Sequence, residues 1–342
     1  MSNELPQVCV CVPTYNAAST VHETLNSILA QTYSNLVVHV SDNASTDGTL
    51  EVIESVADSR VVIHRNAVNV GGEGNFTRCI KLATGRYTVI FHADDVYEPM
   101  MLAKQVAFLE ENPDVGAVFT AASTIDENGE YLGAIGRAPG QYTDVMRLDF
   151  CDLLRKLLRN HNFLVCPSVM VRTEIFKNEI MEWGSAAFRS ASDVDMWLQL
   201  ARIKPIAVLG QQLMRYRISG LQFSESIRNR TERADFFLVM DSYLSRPEVL
   251  SFLTEDDLRC YKWLERHEQV ARALNLFALG RLSEAKVLLS GLICLDAVYA
   301  AVMSRRGVVT LSAGCLLKIL FLFGGGVKTI SLVRHLKKIS WR

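Results

Sequence analysis

Residues 8–43 read VCVCVPTYNAASTVHETLNSILAQTYSNLVVHVSDN. The apolar run 8–12 ends in a polar cluster, Pro13-Thr14-Tyr15-Asn16, and an amphipathic stretch, 20–30, then carries Leu25, Ile28 and Leu29 on one face. A second apolar run, 36–40, ends in Ser41-Asp42-Asn43. Short β-rich runs alternating with helical periodicity predict βαβ units and a mainly parallel sheet with helices on its faces, an α/β fold class. The rhythm continues with a helix after Asp47-Gly48, a strand at 61–64, a helix near 75–83, a strand at 87–92 and a helix after Pro99. A third polar cluster, His92-Ala93-Asp94-Asp95, closes that last strand. In an open α/β sheet ligands bind beyond the carboxyl ends of strands, so three such clusters describe one rim of one site.

Beyond residue 112 the pattern loosens into a strand at 115–121, a turn at Glu127-Asn128-Gly129, a strand near 168–171, a helix at 192–203 and strands at 206–209 and 213–217. The stretch 120–166 carries little pattern and is where substrate-selecting walls are expected. After residue 222 helical periodicity takes over, so residues 1–222 are expected as one α/β domain and 223–342 as a helical C-terminal region. Around Leu274, Phe277, Gly280 and Glu284 the chain is similar to a single tetratricopeptide-like hairpin. One repeat cannot stack into an array, which favours a plain helical appendage.

The 342 residues, 49% hydrophobic and 21% charged, are enough to bury a full core, which excludes disorder. A net charge of −1 with no nucleic-acid-binding signature leaves nucleic acid out of the expected partners. Eight cysteines form no CxxC pair, and Cys9 and Cys11 sit two apart on a strand without bridging geometry, so they read as reduced apolar fillers. The leading MSNELPQ has no charged segment followed by a long apolar one, which points to the cytoplasm. The N-x-S/T triplets at Asn43, Asn75 and Asn229 are then chance matches.

Asp94 and Asp95 place two carboxylates at a strand end, where Mg2+ or Mn2+ needs only one or two protein carboxylates beside substrate phosphates. A solvated turn is the competing account. Asp42 is placed to accept an N–H of a uracil-like base, or simply heads the helix start at Ser45-Thr46-Asp47. Asp193, in Ser192-Asp193-Val194-Asp195, is either an ordinary helix-dipole partner or a base for an attacking hydroxyl.

Taken in order, Pro13-Thr14-Tyr15-Asn16, SDNASTDGT, NVGGEGNFTRCIKLATGRYTVIFHADD and SDVDMWLQLA resemble the bacterial family 2 inverting glycosyltransferases with the GT-A fold. The resemblance runs from about Val8 to about Ser224. It implies a nucleotide-diphospho-sugar donor, a UDP-sugar in the first instance, bound by Pro13, Tyr15, Asn16 and Asp42, with Asn75 and Arg78 near the nucleotide or diphosphate. Asp94 and Asp95 match the D-x-D region, one touching ribose or phosphate and one holding the metal. Asp193 matches the catalytic base, with Asp195 as the alternative. Arg217 matches a diphosphate contact, with a structural ion pair as the competing role. Three departures stand out: His92 replaces a leading aspartate, Ser192 stands where relatives often carry Glu, and no histidine follows Arg217 in the expected pattern. The implied reaction is a single displacement onto the hydroxyl of a saccharide or lipid-linked saccharide, in surface polysaccharide or glycolipid assembly. A degenerate nucleotide-binding subunit is the alternative, against which Asp94, Asp95 and Asp193 are all retained.

Other nucleotide enzymes fit less well. A dinucleotide-dependent oxidoreductase needs G-x-G-x-x-G after the first strand, where Pro-Thr-Tyr-Asn stands, and GGGVKT has Val where a phosphate-loop NTPase needs Gly before Lys. A sugar nucleotidyltransferase would open with a Gly-rich basic loop that is also missing there.

From Arg305 to the end there are eight Lys or Arg and no Asp or Glu, so this tail is about +8 and the rest about −9. Residues 308–323 are apolar but for Lys318, and as a helix would span about 24 Å, short of the roughly 30 Å hydrocarbon core. After three glycines, 328–338 is basic with Ile330, Val333 and Leu336 on one side. Peripheral contact with an anionic membrane from about residue 305, on the cytoplasmic face of the inner membrane, is the expectation. Packing on the catalytic domain or on a second copy in a homo-oligomer is the alternative.

Overall fold

The run VCVCV is the middle of a sheet. β1 (Val8–Thr14) lies between two parallel neighbours, β2 (Leu36–Asp42) and β4 (Tyr87–Ile90), and β3 (Val61–Arg65) lies outside β2. A strand covered on both faces needs no polar alternation, and Val8, Cys9, Val10, Cys11 and Val12 are all buried. The crossovers are helices α1 (Val21–Leu29), α2 (Thr49–Ser55) and α3 (Gly71–Leu82), with Val21, Leu25 and Ile28 of α1 turned into the core. α3 starts four residues earlier than the expected 75, because Gly71 takes φ 77 and lets the NVGGEG stretch turn straight into helix.

This computed structural model describes residues 5–218, 229–292 and 295–322, and the basic segment 328–338 lies outside them. The chain divides into two compact units, one of Met1–Leu157 and Asn162–Ser219, the other of Leu158–His161 and Gly220–Arg342.

In the first unit β5 (Val96–Tyr97), α4 (Met101–Glu111), β6 (Ala117–Ile125), β7 (Tyr131–Ile135), β8 (Val145–Leu148), α5 (Phe150–Asn160), β9 (Met170–Arg172), α6 (Ser192–Ile203) and β10 (Ile206–Arg217) follow in turn. The main strand order is β3-β2-β1-β4-β9-β6-β10-β5, with β7 on β6 and β8 on β10. The sheet is parallel through β4; β9 then runs antiparallel to both β4 and β6, and β10 returns parallel to β6. The two expected strands at 206–209 and 213–217 are one strand, whose register against β6 shifts between Leu209 and Gln212. The bend lets its first half pair with β8 and its second half with β5. The stretch 120–166 holds β7, β8 and α5, and α5 buries Leu153, Leu154, Leu157 and Leu158 at helical spacing.

Arg172 shows how this mixed sheet is tied down. It is buried, and its guanidinium donates to the carbonyls of Val115 (2.8 Å), Leu109 (2.7 Å) and Asn112 (3.0 Å), closing the C-terminal end of α4 onto β9.

The helical unit contains α7 (Asp235–Leu244), α8 (Pro247–Leu250), α9 (Glu255–Ala278), α10 (Leu282–Leu288), α11 (Leu295–Met303) and α12 (Arg305–Leu322). α9 starts at a capping box between Thr254 and Asp257, and Asp257 also accepts from Arg159 at 2.7 Å. Gly280, at φ 81, turns α9 back into α10, and Val270, Ala273, Leu276, Phe277, Ala285, Leu289, Leu292 and Leu317 form the core. A Cβ on Gly307 would fall 2.1 Å from the backbone carbonyl oxygen of Ala300, so glycine there lets α12 start this close to α11. One hairpin capped by α12 replaces any stacked array. Among the described residues no helix is long and apolar enough to cross a membrane.

Replacing Arg172 by Met keeps the volume and strips three buried carbonyls of their donor, so Arg172→Met is expected to cost about 2–3 kcal/mol. Urea unfolding measures it; a loss below about 0.5 kcal/mol would mean that water replaces the guanidinium.

Candidate active site

Because β1, β2 and β4 are parallel neighbours, their carboxyl ends open side by side, with Pro13 opposite Ser41 and Thr14 opposite Asp42. Pro13 is half-buried and Tyr15 is exposed. Asn16 has left-handed φ 49, and its side-chain oxygen accepts the Thr46 amide at 2.9 Å while its own N–H donates to Ser45 Oγ at 3.0 Å. Asn16 thus fixes the loop after β2 as well as lining the rim.

Asp42 is buried at the end of β2. One carboxylate oxygen, Oδ2, accepts the Ser45 N–H at 3.2 Å, and the other, Oδ1, has no hydrogen-bond partner. A buried acceptor without a donor is costly, and here it stands at the opening of the strand ends. Around it Asn43 takes N–H groups from Val70 (3.0 Å) and Asn66 (2.8 Å), bracing the start of α3. Asn75 is buried and committed to Ser41: it accepts from Ser41 Oγ at 2.7 Å and donates to the Ser41 carbonyl at 2.9 Å. Arg78 donates to Asn66 and to the carbonyl of Arg65. The structure therefore puts Asn75 behind the rim as a brace and Arg78 on its edge.

At the end of β4, ligand atoms of His92, Asp94 and Asp95 all lie within 4.8 Å of one another. Asp95 is completely buried; its Oδ1 accepts the backbone N–H of Arg217 at 2.9 Å, and its Oδ2 has no hydrogen-bond partner and lies 3.9 Å from His92 Nδ1. His92 Nε2 is likewise buried without a partner. Burial holds the His92 imidazole below its ordinary range despite the Asp94 charge, so it keeps a free lone pair. Burial, and then the charge of Asp94, push the Asp95 carboxyl well up against the pull of Arg217. Two orphaned buried atoms and three convergent donors fit a divalent cation, with His92 joining the expected Asp94 and Asp95.

Arg217, expected at the diphosphate or in a structural ion pair, is the last residue of β10 and is turned into the protein. It is 4% exposed, and its guanidinium donates to the carbonyls of Asp94 (2.9 Å), Asp126 (3.2 Å) and Glu127 (3.3 Å) and to Glu23 Oε2 (2.6 Å). It clamps the acidic loop from behind, which is the structural ion-pair role. Tyr97 adds a second strap, its hydroxyl accepting the His92 N–H at 2.7 Å and its ring stacked on Phe91.

Asp193 stands in the first turn of α6, with Oδ1 accepting the Val194 N–H at 2.8 Å and Oδ2 accepting from Asn162 at 3.3 Å. Burial pushes its carboxyl up to about 6, against those bonds. Asp195 turns inward, buried, and accepts from Gln199 at 2.7 Å. Of the two, Asp193 is the half-buried one. Ser192, where relatives often carry an acid, donates to Glu73 of α3 at 2.7 Å and so joins α6 to the wall that holds Asn75.

The groups meet around two residues that sequence reading did not single out. The Tyr216 phenol is pushed beyond its ordinary range by burial and then by the charges of Asp95, Asp94 and Asp193. The Cys166 thiol is raised by burial and by the charges of Asp193 and Asp95. One phenol and one thiol therefore feel both the acidic loop after β4 and Asp193 of α6. Tyr216 was legible as part of Arg-Tyr-Arg; Cys166 and Asn162 had no local signal, because they arrive from the connection after α5.

The family described as glycosyl transferase family 2 matches residues 9–179. An uncharacterized glycosyltransferase of Methanocaldococcus jannaschii is 29% identical over 218 residues, 62% of this chain and 71% of that one. Escherichia coli WfaP, named a UDP-Glc:alpha-D-GlcNAc-diphosphoundecaprenol beta-1,3-glucosyltransferase, is 32% identical over 146 residues, 43% of this chain and 57% of its own. S. aureus TarS 1-349 in complex with UDP-GlcNAc aligns with a TM-score of 0.59 at 19% identity, covering 98% of this chain and 92% of that one. The mannosyltransferase PcManGT of Pyrobaculum calidifontis, in complex with GDP-Man and Mn2+, aligns at 0.54 and 20% identity over 92% and 86%. At such identities the solved structures show a shared fold, GT-A. The sequence match spans half of the 342 residues, and the chain belongs to glycosyl transferase family 2.

Proposed function

We propose that the protein transfers a sugar, with inversion, from a UDP-sugar to the hydroxyl of a saccharide or lipid-linked saccharide in surface-glycan assembly. The observation that carries this reading is the grouping of His92, Asp94 and Asp95 at the end of β4, together with the buried, unpaired Asp42 Oδ1 at the end of β2. A general base, here Asp193, and an acidic loop able to hold a cation against the charge of the leaving diphosphate are what one in-line displacement requires.

In this reading the unpaired Oδ1 of Asp42 accepts an N–H of the base, and Pro13 and Tyr15 form the walls of the nucleoside site, with Arg78 toward the phosphates. UDP-bearing TarS and the UDP-Glc named for WfaP support uracil as the base. His92, Asp94 and Asp95 would hold Mg2+ or Mn2+, which when bound supplies positive charge against the departing diphosphate. Asp193 accepts the acceptor's hydroxyl proton as that oxygen bonds to the anomeric carbon. The carbon–oxygen bond to the diphosphate breaks in the same step and UDP leaves. No sugar–enzyme bond forms, so the cysteines stay spectators.

Titration calorimetry of UDP, GDP, dTDP and CMP with Mn2+ is expected to show UDP binding that disappears in Asp94→Ala/Asp95→Ala. Asp42→Ala is expected to weaken UDP about tenfold to a hundredfold, the worth of a hydrogen bond to a charged group. Binding of none of the four to a folded sample defeats the reading and favours a degenerate subunit.

Asp193→Asn is expected to leave UDP binding intact and to cut transfer about 100- to 10,000-fold. The base works ionised and its carboxyl is pushed up to about 6, so the wild-type kcat/KM is expected to be flat above that pH and to drop about tenfold per unit below it. A full rate at pH 5 would remove Asp193 from the role.

A further inference from the structure

We propose that the outward faces of α11 and α12 dock the helical unit on an anionic bilayer, a role separate from the donor site. α12 is apolar on two opposite faces. Its inward face, Gly307, Thr310, Gly314 and Leu317, is buried in the helical core. Its outward face carries Val309 (58% exposed), Leu316 and Ile319 (50% exposed) at helical spacing, with Val308 beside them. α11 continues that surface with Val298, Tyr299 and Val302, the last 78% exposed. A helix apolar all round belongs in a core or against lipid. At 18 residues α12 is about 27 Å long, and it does not qualify as a membrane-crossing helix. Lying in the interface suits it better than crossing.

Charge selects the partner. α12 opens with Arg305 and Arg306, both exposed, and no Asp or Glu occurs from Arg305 to Arg342, against eight Lys or Arg. Arg306 also lines a cavity of about 470 Å3 together with Arg159 and Arg266, with Asp256 as its one acid. α12, headed by arginines and without an acid, complements phosphate headgroups above acyl chains, and α11 contributes Asp296 as the one acid of the two helices. A protein partner or a second copy would have to supply acids that this segment does not contain.

The test is flotation of the full chain with vesicles of phosphatidylcholine alone, or containing about one-third phosphatidylglycerol, beside Val309→Ser/Leu316→Ser/Ile319→Ser. These three side chains point away from the core, so helicity and the thermal midpoint should hold. Should the triple variant unfold, Val302→Ser/Ile319→Ser gives the same readout. The wild type is expected to float with the anionic vesicles only, and the variant's partitioning to fall at least tenfold with UDP binding unchanged. Three results overturn the proposal: no flotation of the wild type, equal flotation of the folded variant, or no flotation together with a concentration-dependent dimer that the variant cannot form. The second result would give the contact to the basic tail alone, and the third would make the stripe an interface between copies.

Discussion

Everything chemical in this protein hangs on how Arg217 holds the loop after β4. The last residue of β10 donates its backbone N–H to Asp95 and its side chain to the Asp94 carbonyl, and reaches Glu23 on α1. A buried guanidinium is tolerable only when its donors are taken up, and here three carbonyls and one carboxylate do so. The acidic loop is thereby fixed from the side away from the ligand. With one oxygen of Asp95 held by the Arg217 N–H, its other oxygen has one direction left, toward His92.

The same economy governs the nucleotide side. Asn16 is spent on Thr46, Asn43 on Val70 and Asn66, and Asn75 on Ser41, and the cost of ordering them is met before any ligand arrives. At the strand ends Asp42 Oδ1, His92 Nε2 and Asp95 Oδ2 are buried without a hydrogen-bond partner. Native interiors rarely leave such atoms unpaired, so their grouping there is the structural basis for the proposed base and cation sites.

The sequence made the parallel half of the sheet readable because each βαβ unit is local: the strand, its polar end and its helix lie within about thirty residues. The antiparallel half was not readable in the same way. β9 inserts between β4 and β6 from 45 residues beyond β6's end, and β10 bends to serve three partners. A strand was expected near 168–171, but three residues carry no sign of which neighbours they pair with. Asp42, Asp94, Asp95 and Asp193 stood out as charged residues at strand and helix ends, but charge alone could not separate Asp193 from Asp195. In the structure Asp195 turns inward to Gln199, while Asp193 is half-buried. Arg217 and Asn75 show what sequence leaves open: a polar residue beside a site looks the same there whether it meets a ligand or braces the residue that does.

That distinction bears on how the three departures from the relatives' pattern fit together. His92, in place of a leading acid, brings a neutral donor where a third carboxylate would have added to the repulsion already lifting Asp95. Ser192, in place of an acid beside Asp193, removes a like charge from the base and uses its hydroxyl to tie α6 to Glu73. Arg217, without the expected histidine after it, neutralises the loop from within the protein. His92 and Ser192 thus both lower the negative charge crowded around the site. With fewer acids nearby, burial is what pushes the Asp193 carboxyl up to about 6.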